Sequence, residues 1–119
     1  MGILWATFQV TDMEKSLAFY NGILGMPVGE RFTAPQDGAE IVMLGEEGSA
    51  QLELISRGAS ENPGQGISIG LPFADIEAVG ETLIAAGYTP TPSFSPFPGI
   101  KFRFVNDPDG YQIQLVERS

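Results

Sequence analysis

A chain of 119 residues with 43% apolar side chains is the size of one packed domain. Fifteen acidic residues against six basic ones leave a net charge of -9, which argues against a nucleic-acid partner and against an anionic membrane face. The absence of cysteine and histidine removes disulfides, thiolate chemistry, zinc–thiolate sites and the usual general base near neutral pH.

No apolar run is long enough to span a bilayer. Residues 1–3 lack the charged flank and apolar core of a secretion signal, so a cytoplasmic chain is expected. In chain order, residues 3–10 read as a strand. Residues 11–24 then place Met13, Leu17, Tyr20 and Leu24 on one helical stripe. Thr11 or Asp12 can cap that helix, with Glu14 as a capping-box partner, and Gly25 stops it. A short strand over 26–32 and β-rich runs at 39–44 and 50–55 follow, the latter two joined by Gly45-Glu46-Glu47-Gly48. Residues 57–65 have linker composition.

The design then repeats. Residues 67–73 read as a strand and 74–87 as a helix, with Ile76, Val79, Leu83 and Ala86 as its stripe and Gly87 as its stop. A short strand over 88–94 precedes runs at 100–105 and 111–116, which are joined by Asn106-Asp107-Pro108-Asp109-Gly110. Pro108 and Gly110 fit a turn followed by a positive-φ residue. Asp12/Asp75, Met13/Ile76 and Glu14/Glu77 are each 63 positions apart, while Leu52/Ile113 and Leu54/Leu115 are 61 apart. The chain is therefore expected to be α+β: two βαβββ modules, 1–56 and 66–119, in a single domain.

Three tempting motifs have bland readings. Gly64, Gly66 and Gly70 imitate a dinucleotide fingerprint but precede and enter a strand, where that fingerprint must leave one for a helix. Asp107-Pro108-Asp109-Gly110 lacks the third acidic ligand and distal Glu of a calcium loop, so a hairpin turn is expected. The Pro/Phe stretch 88–99 suits a rigid loop over a cavity.

Val10-Thr-Asp-Met-Glu-Lys-Ser-Leu-Ala-Phe-Tyr20, Leu24-Gly25-Met26 and Phe104-Val-Asn-Asp-Pro-Asp-Gly-Tyr111 with Gln112-Ile-Gln-Leu-Val116 resemble the vicinal oxygen chelate superfamily, which spans glyoxalase I, bleomycin resistance proteins and extradiol dioxygenases. The resemblance covers nearly the whole chain and implies that each module curls into a half-barrel sheet with one helix packed outside. In metal-dependent members four inward side chains, on the first and last strand of each module, hold a divalent ion. Carried over, those positions are Trp5, Glu53, Ser68 and Gln114, where glyoxalase-type members would have His or Gln, Glu, His and Glu. Trp offers a metal no lone pair, and Ser and Gln are weak neutral donors. One carboxylate among them cannot replace a transition metal's hydration shell, so no metal and no cofactor is expected.

With those positions inward, alternation puts Thr7 and Gln9 beside Trp5, Gln51 and Ile55 beside Glu53, Gly70 beside Ser68, and Gln112 and Val116 beside Gln114. Leu4, Ala6, Phe8, Ile67, Ile69 and Leu71 would then face the core. The resemblance adds Ile41, Met43, Phe102 and Phe104 to the inward face. A slip of one residue would instead turn Lys101 and Arg103 inward and favour an anion. The expected ligand-binding residues are thus Trp5, Thr7, Gln51, Glu53, Ser68, Phe102, Phe104 and Gln114. Two functions follow from the resemblance. One is a metal-independent binder of a planar or cationic small organic molecule, of the bleomycin-resistance type and homodimeric. The other is a glyoxalase-like lyase or isomerase with Glu53 as general base. Dioxygenase chemistry is excluded because two His and a carboxylate cannot be assembled.

Overall fold

The computed structural model describes residues 3–35, 37–58, 64–65, 67–96 and 98–119, so most of the expected linker, together with Gly66, lies outside the described residues. The fold is α+β, with two compact units, Met1–Pro63 and Gly64–Ser119, each holding a mixed sheet and a helix. Among the described residues no helix is long and apolar enough to cross a membrane.

In the first module the strands are β1 (Trp5–Gln9), β2 (Val28–Thr33), β3 (Glu40–Leu44) and β4 (Gln51–Ser56), in the order β1-β4-β3-β2. β1 runs parallel to β4, with Trp5 opposite Gln51 and Thr7 opposite Glu53, and the remaining pairs are antiparallel. Alternation sorts the side chains as period-two strands must. Phe8, Val42, Leu44, Leu52 and Leu54 are buried on the helix side. Leu4 and Ile3, expected to share that burial or the strand itself, lie ahead of β1 and are 72% and 78% exposed.

Helix α1 (Met13–Leu17) is capped by Asp12, whose carboxylate accepts a hydrogen bond from Lys15 N at 3.1 Å. Because Asp12 is the cap, Glu14 falls one position short of a capping box, and it pairs with Arg31 instead (2.6 Å). The helix then widens into a π turn over Ala18–Ile23, closed by Leu24 N donating to Phe19 O at 3.0 Å. The wider turn lets two consecutive aromatics, Phe19 and Tyr20, both reach zero exposure and meet edge-on at 4.9 Å. Gly25, at φ +79°, ends it.

The second module has β5 (Ser68–Pro72), α2 (Ile76–Ala85), β6 (Ile100–Asn106) and β7 (Gln112–Arg118), with strand order β5-β7-β6. The strand expected over 88–94 is reduced to a single bridge, Phe94 with Phe102. Prolines 90 and 92 have no N–H to donate, so the segment reaches β6 only through Thr91 N to Phe104 O (2.8 Å) and Phe94 N to Phe102 O (3.0 Å). Ile76, Leu83, Ile113 and Leu115 form the buried centre. Ala86 falls beyond the helix and is exposed, and Ile67 is 40% exposed ahead of β5.

Helix α2 is capped twice. Asp75 accepts from Glu77 N and Ala78 N, and Glu117 of β7 accepts from Ile76 N at 2.9 Å. Beneath the helix Arg103 is 8% exposed, donates from Nε to Thr91 O at 2.7 Å and lies 3.6 Å from Glu77. Gly80 makes room for it, since a Cβ there would overlap the guanidinium. Gly80→Ala therefore displaces Arg103 from Thr91 and lowers stability by about 1–2 kcal/mol, read as a fall in urea midpoint at constant m.

The 106–110 hairpin turn is organised by Asp107, which is 4% exposed. Its Oδ1 accepts from Asp109 N (2.9 Å) and Tyr111 N (2.8 Å), and Gly110 adopts φ +94°. Gly64 packs on this turn: a Cβ there would lie 2.6 Å from the Asp109 carbonyl oxygen. That close backbone contact gives the first glycine of the false fingerprint a structural role.

Candidate functional site

The sheet face of module one that turns away from α1 carries Trp5, Thr7 and Gln9 from β1 and Gln51, Glu53 and Ile55 from β4. Register brings Met43 opposite Glu53, and Ile41 opposite both Ile55 and Phe32, so Ile41 and Met43 share this face as expected. Thr7 Oγ donates to Glu53 Oε1 at 2.8 Å, and Gln51 Nε2 donates to Gly45 O at 3.2 Å. The Trp5 indole stands 49% exposed, a large apolar surface left to solvent where a strand residue would ordinarily be covered.

Around these side chains lies a cavity of about 680 Å³. Trp5, Phe32, Met43 and Pro27 provide its apolar lining, and Gln51 and Glu53 line it with polar groups. Three further carboxylates, Glu30, Glu46 and Glu47, also line it. Sequence reasoning missed them. Glu30 and Phe32 are two apart on β2, a period-two signal that was available. Glu46 and Glu47 sit on the loop between Gly45 (φ +101°) and Gly48 (φ +90°), where alternation gives no guidance.

In module two Ser68 pairs with Gln112, and Gln114 lies between Gly70 and Phe104. This is the same register as in module one, with Ser68 in the place of Trp5 and Gln112 in the place of Gln51. Phe102 and Phe104 lie on the face with Gln114, whereas Arg103 is buried under α2 and Lys101 reaches Glu117 (3.7 Å). The one-residue slip is excluded. Phe94, not anticipated as a partner, stacks near Phe104 (5.8 Å) and tilts against Phe102 (5.7 Å). The sequence-predicted residues thus gather as two sets of four, Trp5, Thr7, Gln51 and Glu53 in one module and Ser68, Phe102, Phe104 and Gln114 in the other.

A family model, Glyoxalase/Bleomycin resistance protein/Dioxygenase superfamily, matches residues 2–115. The chain belongs to this superfamily. The lactoylglutathione lyase of Haemophilus influenzae is 30% identical over 125 residues, which cover 98% of this chain and 93% of that enzyme. Among solved structures, the trypanothione-dependent glyoxalase I of Leishmania major has a TM-score of 0.82 at 26% identity, covering 98% of this chain and 86% of that one. TnmS3, an antibiotic-binding protein from Streptomyces sp. CB03234, has a TM-score of 0.79 at 21% identity, covering 100% and 97%.

A divalent ion, which the superfamily's metal-dependent members hold, does not fit the donors at the positions carried over. Trp5 has no lone pair to give, Ser68 and Gln114 are neutral, and Glu53 already takes the Thr7 hydroxyl. Among the described residues no three His, Cys, Asp or Glu side chains converge as ligands. What this superfamily member offers instead is aromatic surface, amide and hydroxyl groups, and carboxylate charge.

Proposed function

We propose that the protein is a metal-independent small-molecule binder of the glyoxalase/bleomycin-resistance type, which holds a planar or cationic organic ligand on its aromatic faces. The observation that carries this reading is the exposed Trp5 indole beside a cavity large enough for a drug-sized molecule, with polar groups at Thr7, Gln51 and Glu53 to orient it. Phe102, Phe104, Ser68 and Gln114 give module two the same combination of aromatic surface and neutral hydrogen-bonding groups. We take the two modules as halves of one cytoplasmic domain. Among the described residues the outer edges of β1, β2 and β5 carry no further strand, and such open edges favour a homodimer.

Trp5 is the sole tryptophan, so a flat ligand filling this cavity quenches the intrinsic emission saturably, and excess chelator leaves the titration unchanged. Ligands that raise the melting temperature without altering that emission, or binding abolished by chelator, contradict the proposal.

A second reading, a lyase or isomerase, draws on the Haemophilus influenzae lactoylglutathione lyase at 30% identity. It would use Glu53 as base, yet the Thr7 hydroxyl occupies one carboxylate oxygen, and no Lys or Arg among the described residues lines the cavity to steady an enolate. Formation of lactoylglutathione from glutathione and a 2-oxoaldehyde, abolished by Glu53→Gln, would establish it. The fold does not choose, since a glyoxalase I and an antibiotic-binding protein both share it.

A further inference from the structure

Charge is distributed unevenly along the chain. Nine acidic and three basic side chains fall in residues 1–63, against six and three in residues 64–119. Two of the three basic groups of module one are committed elsewhere. Arg31 is held by Glu14 and Glu40 (2.7 Å), whose hydrogen bonds raise its pKa further, and Arg57 is held by Asp37 (2.8 Å). The third, Lys15, is on α1, and none of the three lines the cavity.

Around the cavity the pattern is the reverse. Glu30, Glu46 and Glu47 line it with no ion-pair partner among the described residues, and Glu53 carries only the hydroxyl of Thr7. Their negative potential falls on a space walled by an indole, a phenyl ring and a thioether. That wall attracts a cation in its own right, through the electron-rich faces of Trp5 and Phe32. Apolar, low-dielectric walls also strengthen the field of the carboxylates inside.

We infer that the module-one cavity selects a flat organic cation, an aromatic or heteroaromatic amine or quaternary ammonium, and rejects anions of the same shape. Glu30, Glu46 and Glu47 are its specificity-determining residues. The inference rests on the binding reading and narrows it from planar or cationic to cationic. A neutral flat molecule gains the stacking on Trp5 but none of the charge attraction, and an anion meets carboxylates with no guanidinium to offset them.

The test uses three flat probes on the full-length protein, followed through Trp5 emission: ethidium (cationic), N-phenyl-1-naphthylamine (neutral) and its sulfonate, 8-anilinonaphthalene-1-sulfonate (anionic). Ethidium binds most tightly and saturably, weakening as salt rises. Combined Glu46→Gln and Glu47→Gln substitutions weaken ethidium about tenfold. Glu81→Gln, on the exposed face of α2, leaves it unchanged. If the neutral or anionic probe binds as tightly as ethidium, read from the midpoint of its titration, or if Glu46→Gln/Glu47→Gln behaves like Glu81→Gln, the charge selectivity is overturned while the binding reading stands. If no probe quenches Trp5, both fall.

Discussion

Replacing Asp107 by Ala lowers stability by about 2–4 kcal/mol, because two backbone N–H groups lose their acceptor together. Asp109 N and Tyr111 N both donate to Asp107 Oδ1, and Tyr111 itself is 6% exposed, so water does not readily take the acceptor's place. The turn also sets the register of β6 against β7, in which Asn106 lies opposite Gln112. Asp107→Asn keeps an oxygen acceptor at the same place and costs less than half as much. Equilibrium urea unfolding of the two variants checks both values, and equal losses would show that the negative charge, more than the acceptor, organises the turn.

Trp5→Ala costs ligand affinity and little stability. The indole is half exposed, so its removal leaves no core void, but a bound flat molecule loses the largest surface it touches. Truncating an aromatic anchor of this kind costs about 2 kcal/mol, or some 30-fold in affinity. Because the variant has no tryptophan, binding is followed through the probe's own emission, and Trp5→Phe recovers part of the loss by restoring a ring. Unchanged affinity in Trp5→Ala would place the ligand elsewhere.

Much of this was legible in the chain because two independent offsets agreed. The 63-residue spacing of Asp12 and Asp75 and the 61-residue spacing of Leu52 and Ile113 announced two modules, and β1–β4 and β5–β7 adopt equivalent parallel registers. The phase of β6 came from the resemblance, since alternation alone left it open: Phe102 and Phe104 share a face with Gln114, and Arg103 lies under α2. What failed did so for local reasons. A π turn at Ala18–Ile23 is chosen by the burial of Phe19 and Tyr20 together, a tertiary demand that a 3.6-residue stripe does not encode. The strand over 88–94 was expected as the counterpart of 26–32 in the repeat, yet prolines 90 and 92 delete the donors a ladder needs. Glycines 45 and 48 disclosed a turn without disclosing that its Glu46 and Glu47 line a cavity.

Glu53 sits where metal-dependent relatives keep a ligand, and here it accepts the Thr7 hydroxyl and lines one cavity with Trp5. Crystals soaked in nickel, zinc or manganese and measured at each absorption edge test that substitution most directly. No anomalous peak is expected at coordination distance from the Glu53 carboxylate. A peak about 2.0–2.2 Å from its oxygens, completed by neighbouring side chains, would contradict it.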